Sequence, residues 1–139
     1  MCIRDRFGTL HTSSAAKTID RIIDVFPAHQ QAQVRTQLSF TLEAIFCQQL
    51  VPRDGERGRV LAAEVLMATP AARALVREDK VHQLESVVQT GGRLGMRTMN
   101  QSLLQHCNDG QISFKNALRY SPTPDDIERM YKKSGGVCV

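Results

Sequence analysis

The 139 residues contain no tryptophan, and aromatic side chains make up only 5% of them. A surface for single-stranded nucleic acid stacks bases on aromatic groups set among basic ones. Here the basic residues are spread along the chain and mixed with acids, so a partner of that kind is not expected. No apolar run approaches the roughly 20 residues that cross a bilayer as a helix. Nor do residues 1–6, Met-Cys-Ile-Arg-Asp-Arg, contain the apolar stretch that a secretory signal needs. The four cysteines, Cys2, Cys47, Cys107 and Cys138, show neither a CxxC pair nor a Cys/His metal spacing. That pattern favours free thiols in a reducing cytosol over a disulfide framework. A further absence concerns phosphate. No GxxxxGK[ST] loop occurs, and the nearest glycine-rich stretch, Gly91-Gly92-Arg93-Leu94-Gly95, lacks both the lysine and the hydroxyl residue of such a loop. That stretch is better read as a helix stop and turn. No hydrophobic run ends in the acidic pair of a Walker B strand either.

What is present suits one folded unit. The length supports the core of a single domain, 42% of residues are hydrophobic, and the net charge of +4 reads as a generic solvated surface. The chain is organised around residues 7–27, FGTLHTSSAAKTIDRIIDVFP. Phe7 and Leu10 around Gly8 suggest the end of a strand. His11 follows, and then Thr12, Ser13 and Ser14 offer the hydroxyls favoured at a helix N-cap. Ala15, Ile19, Ile22, Ile23 and Phe26 recur at helical spacing until Pro27 stops the run. A strand exit, a histidine turn and a helix N-terminus together offer an anion site, since free amides and the helix dipole both favour phosphate. The alternative is that His11 only caps or packs.

This stretch resembles the histidine box of the type IV pilus retraction ATPases, the PilT or twitching-motility family of secretion NTPases. GTLHT and AAKTIDRIIDVFP carry the resemblance. It continues through VRTQLSFTLEAIFCQQLVPR, RVLAAEVLMATPAARALVRE and VHQLESVVQTGGRLGMRTMNQSLL, from Phe7 to about Met130. The implied fold class is α/β: residues 7–68 as the C-terminal part of a RecA-like P-loop ATPase domain, residues 69–131 as a helical C-terminal subdomain. Residues 1–6 fit no buried parallel strand and are expected to be a foreign leader on a reading frame that begins within a longer gene. Residues 132–139 are expected to be a disordered tail.

Along the chain, the expected helices cover residues 14–25 and 29–44. Strands at 45–51 and 59–67 form a hairpin. Further helices cover 71–78, opened by Thr69-Pro70, then 81–90, 96–108, 113–120 and 123–131. The second helix opens on His29-Gln30-Gln31, without the acidic residues that a first turn favours. In the first helix Lys17/Arg21 and Asp20/Asp24 are like-charged i,i+4 pairs, mildly unfavourable in isolation. Either their partners lie outside the helix or the face is solvated, with compensation such as Lys17 to Asp20.

The resemblance also implies roles. His11 would sit near the γ-phosphate and sense nucleotide state, flanked by Thr9 and Thr12. Lys17, Arg21 and Asp24 would face a neighbouring subunit of a homo-hexamer. Ala71, Arg73, Leu75, Arg77 and Glu78 match the AIRNLIRE signature of the retraction enzymes, while Ala72, Ala74 and Val76 depart by losing bulk. Read without the resemblance, 71–78 is an ordinary amphipathic helix. Family members often carry small or aliphatic residues at the positions of Phe46 and Cys47, so local repacking is expected there. Cofactors would be ATP and Mg²⁺, bound mainly by Walker elements upstream of the histidine box. No protein-ligated metal is expected, since His29, His82 and His106 stand apart. The implied setting is cytoplasmic, peripheral at the inner-membrane base of the pilus machine, beside its platform protein and without membrane insertion. A pilus extension or type II secretion ATPase is the runner-up, and a non-enzymatic helical interaction module is a further alternative.

Overall fold

The computed structural model describes residues 6–55 and 57–133. The expected leader falls outside these except for Arg6, and residues 134–139 of the expected tail lie outside them. The architecture is helices wrapped round one antiparallel hairpin. Helix α1 (Ala15–Asp24) leads into α2 (Ala28–Thr41), and strands β1 (Ala44–Pro52) and β2 (Arg59–Met67) follow. Helices α3 (Pro70–Arg77), α4 (Leu84–Thr90), α5 (Met99–Asn108), α6 (Phe114–Tyr120) and α7 (Pro124–Lys133) complete the chain. Lys132 and Lys133, assigned from sequence to the tail, thus continue the last helix, where their charge complements its C-terminal dipole.

Local chemistry explains most boundaries. Ser14 caps α1 by accepting from the Lys17 amide, and Thr69 does the same for α3 ahead of Pro70. The expected helix at 96–108 starts later, at Met99. Thr98 accepts from the Gln101 amide while the Gln101 side chain returns to the Thr98 amide, a capping box that fixes the start. Gly91 ends α4 for a steric reason: a Cβ there would lie 2.0 Å from the tip of Met96. The left-handed residue is Gly95 (φ +78°), which closes the short 3₁₀ turn Gly92–Leu94.

Period-two alternation decides the hairpin. Ile45, Cys47 and Val51 point inward from β1, and Val60, Ala62, Glu64 and Leu66 from β2, with Cys47 opposite Glu64 in register. One buried cluster runs from Ala15 and Ile19 through these strands to Leu103 and Ile127. Cys47 is a small buried hydrophobe, and burial pushes its thiol pKa up. Phe46 points the other way and is 62% exposed, so the bulk at this position is accommodated on the surface rather than by repacking inside. Cys107 departs from the expectation of free thiols throughout: it is disulfide-bonded. Such a bond depends on two cysteines meeting in space, which sequence spacing does not reveal.

Candidate functional site

Residues 7–10 belong to no strand among the described residues, which corrects the sequence expectation. A strand needs a ladder to satisfy its amides and carbonyls. β1 spends one edge on β2, and nothing among the described residues pairs with 7–10, so Phe7 and Leu10 stay exposed. His11 follows on an exposed turn, with the Thr12 amide donating to the Leu10 carbonyl at 3.0 Å. Behind it the turn is braced. The hydroxyls of Thr12 and Thr18 are 2.6 Å apart, and the Thr18 hydroxyl also reaches the Ser14 carbonyl at 2.8 Å. Thr12 therefore holds the turn together, while Thr9 stands in its exposed approach.

The anion site expected at the start of α1 is not free. Glu64, buried on β2, accepts from the Ala15 amide through Oε1 at 2.7 Å, and Ser14 Oγ takes the Lys17 amide at 3.3 Å. The other Glu64 oxygen accepts from the Met99 amide at 3.3 Å, the first residue of α5. One carboxylate therefore closes the N-termini of two helices, and phosphate cannot use those amides without displacing it. Sequence reasoning missed Glu64. The signal was a lone acid in the apolar strand RVLAAEVLM, a residue that folding buries only with partners.

Above this floor lies an open cleft of about 590 Å³, walled by residues 8–13, residues 46–49 of β1 and Met99. A second depression shares His11, Thr12 and Ser13 and continues along Lys17, Asp20, Arg21 and Asp24. The fold thus brings His11 together with the three residues assigned to a subunit interface. Asp20 has its pKa raised, first by burial and then by Asp24 four residues on, with Arg35 opposing. Of the like-charged pairs on α1, Asp20/Asp24 thus acts against the ionised form of Asp20 within the chain.

The 71–78 segment lines neither cleft. Arg73 turns inward: Nε donates to the Ala68 carbonyl at 2.9 Å, and one terminal nitrogen donates to the carbonyls of Ser39 at 2.8 Å and Phe40 at 2.9 Å. Its other terminal nitrogen pairs with Glu43 at 3.3 Å. Leu75 is half-buried against the core. Ala71, Arg77 and Glu78 face solvent, and Lys80 at 2.8 Å draws the Glu78 carboxyl pKa down. The departures at Ala72 and Val76 are on the buried side, and Ala74 is half-buried. Among the described residues no group of three His, Cys, Asp or Glu could hold a metal.

A hairpin with one face buried and helices packed on it, with a histidine turn at the head of the first helix, has the architecture of the C-terminal part of a RecA-like ATPase domain. No family model matches the chain. It is 50% identical over 121 residues to the type IV pilus retraction ATPase PilT of Pseudomonas aeruginosa, covering 87% of this chain and 35% of that protein. Against a twitching motility protein of Neisseria gonorrhoeae the identity is again 50% over 121 residues, covering 87% of this chain and 32% of the relative. A crystal structure of the pilus retraction motor PilT with bound ADP matches at a TM-score of 0.79 and 47% identity, over 89% of this chain and 34% of that one. Over most of its length the chain is thus homologous to PilT pilus retraction ATPases, and it spans about a third of the length of these relatives.

Proposed function

We propose that this chain supplies the histidine turn and the C-terminal helices of an ATP-driven, homo-hexameric motor that retracts type IV pili. The observation that carries the reading is His11: an exposed imidazole on a braced turn over an open cleft, in a chain half-identical to PilT. In that position an imidazole N–H can donate to a phosphate oxygen, a charged hydrogen bond of roughly 1.5–3 kcal/mol. The residues of this chain do not themselves fit ATP and Mg²⁺, because there is no P-loop and the Ala15 and Lys17 amides at the head of α1 are already taken. Bound nucleotide would supply the phosphoanhydride whose cleavage drives the motor. What this chain does is aim His11, with Thr12 fixing the turn and Thr9 in its approach, and present Lys17, Arg21 and Asp24 beside it to the next subunit. Ala71, Arg77 and Glu78 offer an exposed helix face through which motion could pass to the inner-membrane platform protein, with the motor at the cytoplasmic side.

The test is a chimera in which residues 7–130 replace the matched segment of Pseudomonas PilT. Expected are ATP hydrolysis and restored twitching, with ATP turnover falling roughly ten- to a hundredfold on His11→Ala. The 139-residue chain alone should show no turnover. A chimera that folds, forms hexamers and yet neither hydrolyses ATP nor supports motility would refute the reading.

A further inference from the structure

We propose that Glu64 is a positioning residue for His11, acting as a two-ended clamp that fixes the histidine turn against α5; this rests on the reading of His11 as the phosphate-facing group. Glu64 is 9% exposed on the inward face of β2, among Ala62 and Leu66 and opposite Cys47. An acid in such surroundings forfeits its hydration, and only good hydrogen bonds offset that. Both of its oxygens have them, to Ala15 at 2.7 Å and Met99 at 3.3 Å. Each partner is the first residue of a helix, where the helix dipole also favours a negative group.

The geometry ties this clamp to the cleft. Ala15 follows the braced His11–Ser14 turn directly, so anchoring its amide anchors the turn. Met99, the other end, lines the same cleft as His11. The carboxylate therefore sets the separation between the histidine turn and the α5 side of the cleft. An ionised carboxylate offers two acceptor oxygens and no donor. Glutamine offers one oxygen and one NH₂, so in either orientation one helix amide would face another donor. Aspartate keeps both oxygens but is one methylene shorter and cannot reach both amides from the same backbone. The clamp thus requires glutamate chemically, and not merely a polar residue.

Two measurements test it. In the 139-residue chain, hydrogen exchange should show the Ala15 and Met99 amides protected, with Glu64→Gln accelerating at least one about tenfold or more. In the PilT chimera, Glu64→Gln should lower kcat roughly ten- to a hundredfold, because catalysis is sensitive to ångström-scale misplacement, while KM for ATP stays within about threefold. The deciding comparison is with His11→Ala as background. A residue that acts only through His11 has nothing further to lose there, so Glu64→Gln should then change kcat by less than about twofold. Multiplicative losses in the double variant would overturn the proposal and leave Glu64 a structural residue. So would an unchanged kcat in Glu64→Gln despite accelerated exchange. Should Glu64→Gln fail to fold, Glu64→Asp is put through the same cycle with the same criteria. If His11→Ala alone leaves kcat unchanged, the reading of His11 fails first, whatever Glu64 does.

Discussion

Arg73 shows how one side chain can be matched to a motif and yet be committed to the fold. Its guanidinium fork joins α3 to the last carbonyls of α2 at Ser39 and Phe40 and to the Ala68 carbonyl beside it. Arg73→Ala would leave those carbonyls without their donor, and we expect a loss of about 2–4 kcal/mol in urea unfolding. Arg73→Lys should recover less than half, because an ammonium cannot reproduce a fork aimed in three directions. Any loss of motility in Arg73→Ala therefore comes mixed with loss of stability. Arg77→Ala and Ala71→Ser, on the exposed side of the same helix, should leave stability within about 0.5 kcal/mol. They are the cleaner probes of force transmission, read as twitching at unchanged urea midpoint.

At the scale of elements, the hairpin tip is fastened to α6. The Asp54 amide donates to the Gln111 carbonyl at 3.3 Å, and the Asp54 carboxylate accepts from the Ser113 amide and from Asn116 Nδ2. Ser113 in turn caps α6, so one aspartate aligns a turn with a helix N-terminus. These bonds, led by those from Ser113, hold the Asp54 pKa below the usual aspartate value. The sign follows from proton binding: below its unfolded pKa of about 3.9 the unfolded chain takes up the proton more readily than the folded one. The contribution is complete above that value and is lost as pH falls through the lower folded one. Asp54→Asn should therefore flatten the Asp54 part of the acid limb below about pH 4 and leave the slope between pH 5 and 7 unchanged. Urea titrations of both proteins from pH 2 to 7 check this; a steepened acid limb in the variant would contradict it.

For the whole molecule, the two edges of the sheet differ. The outer edge of β2 is closed. His106 Nε2 donates to the Leu61 carbonyl at 2.9 Å, Ser102 Oγ accepts from the Ala63 amide at 3.1 Å, and Val65 exchanges backbone bonds with Arg97 at 2.9 and 3.2 Å. The outer edge of β1 carries no ladder among the described residues, and next to it Phe46, Leu50 and Leu61 are exposed on the face turned from the core. An open edge beside an apolar face is a template for association. We expect the 139-residue chain to self-associate in sedimentation at micromolar concentration. Phe46→Ser with Leu50→Lys should return it towards a monomer with little change in melting temperature. A monomeric unsubstituted chain at the same concentration would rule this out.

The sequence by itself determined what depends on neighbouring residues. The Ser14 and Thr69 caps, the hairpin and its alternation, the stop at Pro27 and the His11 turn are all written within a few positions of where they act. The capping box of Thr98 and Gln101 is just as local and fixes where α5 begins, although the expected helix started at residue 96. Tertiary structure decided the bonds between distant residues. Glu64 reaches an amide 49 positions earlier and another 35 later, and Arg73 finds carbonyls 33 and 34 positions away. It also decided that residues 7–10, strand-like in composition, form no strand here, because a ladder needs a second chain segment that composition does not provide. A buried polar group must be satisfied, but which distant amide satisfies it depends on how helices and hairpin pack, and no local pattern encodes that choice.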